Sequence, residues 1–132
     1  MPRKFEIEFR IYSLELQQKM SDFPLYDRLI RDIPSKNLTI KQHQEFLEKV
    51  PDINTHGREL LYVLIRCYNK DNGGDAGGTP YGGEVKRCGR NNVSVTWDLA
   101  SFPHDLRQIL YKFVVMHTEE MQEEMMRSET LP

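Results

Sequence analysis

The 132-residue chain is long enough for one domain with one ordinary hydrophobic core. Its hydrophobic share of 39% and charged share of 29% are close to a globular average, which argues against a wholly disordered chain. A net charge of −2 gives no electrostatic reason to expect nucleic acid or an acidic membrane as partner, and no apolar run approaches the roughly 20 residues of a membrane span.

The N-terminus, Met1-Pro2-Arg3-Lys4-Phe5-Glu6, carries charges where a signal peptide needs an apolar core, so the default expectation is an intracellular, reducing location. Phe5, Ile7, Phe9 and Ile11 alternate with Lys4, Glu6, Glu8, Arg10 and Tyr12, a period of two that predicts a half-buried strand. A helix is the alternative there, because the run flows into Ser13-Leu14-Glu15-Leu16. Leu25, Leu29 and Ile33 then recur at helical spacing after Asp22 and Pro24, predicting a short helix over about 22–33 that Pro34 stops.

Thr39 and Gln42 form a capping-box pair opening the next helix, whose apolar residues are Ile40, Phe46, Leu47 and Val50 before Pro51. Asn54 or Thr55 caps a longer one carrying Leu60, Leu61, Leu64, Ile65, Cys67 and Tyr68, with Val63 widening its apolar face. Residues 73–83 read GGDAGGTPYGG and hold six of the eight glycines, a loop that implies either mobility or close backbone approach. Residues 84–88 and 93–97 predict a hairpin around Gly89-Arg90-Asn91-Asn92. Ser101-Phe102-Pro103 opens the last helix, with a core stripe of Leu106, Ile109, Leu110, Phe113, Val114 and Met116 or His117. That helix runs on through an acidic stretch whose apolar residues are methionines, to a frayed end at 128–132.

These elements predict a mainly α to α+β fold: a bundle of four or five helices with a small two- or three-stranded sheet and a long C-terminal helix. The chain divides into an N-terminal strand and short helices over 1–37, a helical domain over 38–127 and a tail over 128–132.

No catalytic constellation emerges. His43, His56, His104 and His117 are isolated, without HExxH or zinc-finger spacing, and a structural or surface role is preferred for each. Cys67 and Cys88 make a poor disulfide framework, and a zinc site needs more ligands. Cys67 sits in an apolar stripe where an inert thiol belongs; Cys88 has cationic neighbours but no evident base or orienting carboxylate. The glycine loop lacks GxxxxGK[ST] and GxGxxG and does not lead from a strand into a helix, so a phosphate cradle fails. Lys86, Arg87 and Arg90 fit a solvated turn better than a phosphate site. The stretch with Glu119, Glu120, Glu123, Glu124, Met116, Met121, Met125 and Met126 fits either a partner surface or a helix end packed on its own domain. No cofactor or metal is expected.

The succession LTIKQHQEFLEKV, HGRELLYVLIRCYNK, VSVTWDLASFP and HDLRQILYKFVVMH resembles the NET, or extra-terminal, domain over about residues 38–118. The similarity extends to stand-alone NET-like proteins of large nucleocytoplasmic DNA viruses, through the LIRCY helix, the Pro80-Tyr81-Gly82-Gly83 loop and the KFVVMH ending. The resemblance implies a small helical bundle with a strand before its last helix, which captures a partner peptide by strand addition. It places the docking edge at Val93, Ser94, Val95 and Thr96, with Leu99, Phe102 and Ile109 lining the groove. The chain departs from the family in having only Asp98 as an acidic residue there, with Arg87 and Arg90 nearby, which puts a lysine-rich guest in doubt. The strand at 5–12 adds a second departure, since it can pair with 93–97 and fill the guest site within the chain.

Two functions follow as expectations. One is a structural or scaffolding protein of a large DNA virus, such as a minor capsid protein, located in the virion or virus factory. The other is a nuclear NET-type transcription or chromatin adaptor. In both the partners are proteins or peptides, including capsid or other virion proteins in the first.

Overall fold

The computed structural model describes residues 4–10, 24–74 and 79–130. The alternating segment forms strand β1 (Lys4–Arg10), with Phe5, Ile7 and Phe9 buried and Lys4 and Glu6 exposed. Helix α1 (Pro24–Leu29) is shorter than expected and buries Tyr26 and Leu29. The Ile30 N–H continues it for one bond to the Tyr26 carbonyl (3.1 Å) before the turn to Pro34. Ile11, Tyr12 and Asp22, invoked for these two elements, lie outside the described residues.

Helix α2 (Ile40–Lys49) starts at the expected capping box. The Gln42 N–H donates to Thr39 Oγ1 (3.1 Å) and the Thr39 N–H donates to Gln42 Oε1 (2.9 Å), satisfying two amides that the first turn leaves without helical partners. Phe46 and Val50 face the core, but Ile40 does not; it stands 71% exposed on the first turn. A 3-10 turn, Val50–Asp52, leads into helix α3 (Thr55–Asp71), capped by Asn54, whose Oδ1 accepts from the Gly57 N–H (2.8 Å). Five consecutive α3 residues, Leu61 to Ile65, are buried, because the helix packs between β1 and the last helix.

Strands β2 (Glu84–Arg87) and β3 (Asn92–Asp98) form the hairpin, closed by the Cys88 N–H donating to the Asn92 carbonyl (3.0 Å). A short 3-10 turn, Leu99–Ser101, leads to helix α4 (His104–Thr130). The fold is α+β: among the described residues, four helices and a three-stranded antiparallel sheet ordered β1-β3-β2.

The sheet register explains the core. Directly paired residues share a face, so Phe5 with Trp97, Ile7 with Val95 and Phe9 with Val93 form one apolar surface. Phe5 packs edge-on to Phe46 (5.2 Å) and lies 5.8 Å from both Trp97 and Phe102, while Phe9 lies 4.5 Å from Tyr62. Two aromatics of the N-terminal strand thus belong to the same core as the helices. One core draws residues from both sides of the expected 37/38 boundary, and α4 stays helical through Thr130, into what was expected to be a frayed tail.

Candidate interaction surface

The seven residues expected to form a peptide site are held inside the fold. Val93, Ser94 and Val95 are buried, Thr96 is half-buried, and β3 is hydrogen-bonded to β1 on one side and β2 on the other. Leu99, Phe102 and Ile109 are at most 4% exposed and pack in the core rather than along an open groove. The expected docking edge is therefore not an edge in this arrangement. Its occupant is β1, whose three buried side chains, Phe5, Ile7 and Phe9, join the core from there.

The glycine loop has a structural reason at its end. Trp97 is 1% exposed, and its indole N–H donates to the Pro80 carbonyl (2.9 Å). Gly83 lies so close to the indole that a Cβ there would collide with it, and Gly82 takes a φ of 71° that glycine adopts without strain. Tyr81 shares the left-handed region (φ 58°) and stacks edge-on to Phe102 at 5.4 Å. Backbone approach to Trp97 accounts for residues 80–83; residues 75–78 lie outside the described part.

Two of the histidines, His104 and His117, serve the scaffold. His104 Nε2 donates to the Pro34 carbonyl (2.9 Å), and its Nδ1 meets Asn37 Oδ1 (2.8 Å). One turn on, Gln108 Nε2 donates to the Lys36 carbonyl (2.6 Å), so α4 clamps the 34–37 segment. Sequence reasoning missed this clamp because its acceptors are mostly main-chain carbonyls. His117 is 8% exposed, stacks on Phe113 (5.3 Å), and donates from Nε2 to the capping Asn54 Oδ1 (3.0 Å). Burial pushes its pKa down, Glu120 opposes that, and His56 adds to it. Burial also raises the pKa of the half-buried Cys67 thiol, which keeps it protonated. Among the described residues no cluster of three or more His, Cys, Asp or Glu can hold a metal ion, and no helix is long and apolar enough to cross a membrane.

Among the described residues, two exposed surfaces combine an apolar side chain with charge. The first is β2, exposed at all four residues, with Val85 57% exposed among Glu84, Lys86 and Arg87 and no described strand on its outer side. Lys86, Arg87 and Arg90 have no ion-pair partner among the described residues. The second is the end of α4. Its buried stripe, Leu106, Leu110, Val114 and His117, continues at the same helical spacing as Met121, Met125 and Ser128. With Asn54 and Glu124 these three line a shallow, open groove of about 420 Å³ beside the start of α3.

Comparison with protein-family models, curated proteins and solved structures finds no match to this chain. The NET resemblance accordingly rests on the sequence motifs alone.

Proposed function

We propose that this chain is a non-enzymatic protein–protein interaction module that works as a minor structural or scaffolding component of a virion, a reading supported by its sequence resemblance to NET-like proteins of large DNA viruses. The observation that carries the interaction reading is the uncovered end of α4. Residues 119–130 extend the helix by about 18 Å at 1.5 Å per residue. Met125 is 63% exposed on the continuation of the stripe that forms the core further back. A helix that keeps its apolar face after leaving its own domain gains from a partner that covers it.

A second reading is a NET-type transcription or chromatin adaptor, and β2 favours it. Strand addition needs an open edge, and the one the hairpin offers is β2 rather than β3. The cations Lys86, Arg87 and Arg90 suit an acidic guest better than a lysine-rich one.

Affinity purification with crosslinking and mass spectrometry from the native source, with particles and soluble extract analysed separately, tests the two. Crosslinks from the exposed Lys86 and Lys112 to capsid or other virion proteins, at fixed stoichiometry in particles, support the scaffold. Crosslinks confined to transcription machinery or histones in the soluble fraction overturn it in favour of the adaptor.

A further inference from the structure

The two exposed surfaces are complementary. Val85 and Arg87 share one face of β2, since they pair with Val95 and Val93, and therefore present an apolar group and a cation about 7 Å apart. The groove at the end of α4 presents Met121 and Met125 beside Glu124, with Glu120 one turn earlier on the same flank. Val85 and Met125 are two of the four large apolar side chains that stand exposed among the described residues; the cations Lys86 and Arg87 outnumber Glu84 beside Val85, and Glu120, Glu123 and Glu124 outnumber Arg127 around Met125. Neither Arg87 nor Glu124 has an ion-pair partner among the described residues.

We infer that the occupant of the α4 groove is a second copy of this chain, docked through its β2 hairpin. Val85 covers Met121 and Met125, and Arg87 pairs with Glu124. This inference rests on the scaffolding reading above and names its first partner. The contact joins two different surfaces, so it is head-to-tail: each copy keeps one free donor and one free acceptor surface, and copies add in rows or close into a ring. Methionine suits the receiving side because its flexible thioether fits a shallow apolar insert. The patches are small, so a single contact is weak and salt-sensitive, and the assembly forms where the protein is concentrated.

Sedimentation velocity on the full chain, in a concentration series up to about 1 mM, reads the contact directly. The wild-type protein should show a sedimentation coefficient that climbs with concentration and falls back in about 1 M salt, where the screening length is about 3 Å. Two exposed double variants, Lys86→Glu with Arg87→Glu and Glu120→Lys with Glu124→Lys, should each weaken association about tenfold or more. An equimolar mixture of the two should restore it, because each then offers the charge the other lacks. Unchanged melting of both variants separates loss of contact from loss of fold. A wild-type protein that stays monomeric throughout, or association indifferent to both reversals, overturns the second-copy assignment. Crosslinks from α4 to a different virion protein would survive that result, so the scaffolding reading and the self-association fail separately.

Discussion

At the scale of single residues, the fold depends on a few side chains whose polar atoms find main-chain partners inside an apolar core. Trp97 joins the sheet, α3 and the end of the glycine loop: it pairs with Phe5 across the sheet, contacts Phe102 and Tyr62, and donates to the Pro80 carbonyl. Trp97→Ala leaves a large cavity and an unsatisfied carbonyl, and should cost about 3–5 kcal/mol. Urea titration measures this, and the native tryptophan emission should be blue-shifted and shielded from quencher. Gly57 is equally constrained, because a Cβ there would meet Ile53 and the His117 ring. Gly57→Ala should therefore destabilise by about 1–3 kcal/mol, although alanine favours helices elsewhere. A neutral result in the same titration would mean that His117 does not sit against the start of α3.

His117 also sets a pH dependence. Its pKa in the fold is below the unfolded value of about 6.5, so the unfolded chain binds the extra proton first. Stability is full above that pH and declines as the pH falls from 6.5 towards the folded value. Glu45 acts lower: Lys49 and Tyr111 hold its pKa below the ordinary 4.5, so its contribution is present above that pH and is lost as the pH falls from there through the folded value. Melting temperature measured between pH 7.5 and pH 5 should fall in the wild type and flatten in His117→Gln. Parallel curves would show that His117 is not the responsible group.

At the scale of elements, local signals were legible and long-range ones only partly. The α2 capping box was readable because both partners lie within four residues. The stripe of α4 was readable because one helix carries the whole pattern. Whether β3 has an open edge depends on a strand more than eighty residues away in sequence, and motif resemblance alone pointed to the edge that β1 occupies. The clamp by His104 and Gln108 left no pattern because carbonyl acceptors carry no residue identity. Ile40 shows the opposite failure: it matches an apolar period, yet its place on the first turn of α2 turns it to solvent. β1 yields the sharpest element-scale prediction. Phe5, Ile7 and Phe9 are each worth about 1.5–3 kcal/mol when buried, a sum comparable with the total stability of a small domain. Deleting residues 1–12 should therefore abolish the cooperative transition and expose β3 to aggregation. A truncated chain as stable and soluble as the intact one would contradict the cis pairing.

At the scale of the whole molecule, the sheet is closed where the resemblance would have it open, and the proposed partner surfaces are the hairpin and the end of α4, both exposed among the described residues. Hydrogen–deuterium exchange of the full chain, followed residue by residue, tests that division most directly. Amides from Val93 to Trp97 should exchange as slowly as those from Leu106 to Val114, because both open only with the core. Amides of α4 beyond Glu119 should exchange much faster, as should those of β2 that have no partner in β3. Fast exchange along β3 would mean that β1 does not hold it, and would return the partner site to Val93, Ser94, Val95 and Thr96.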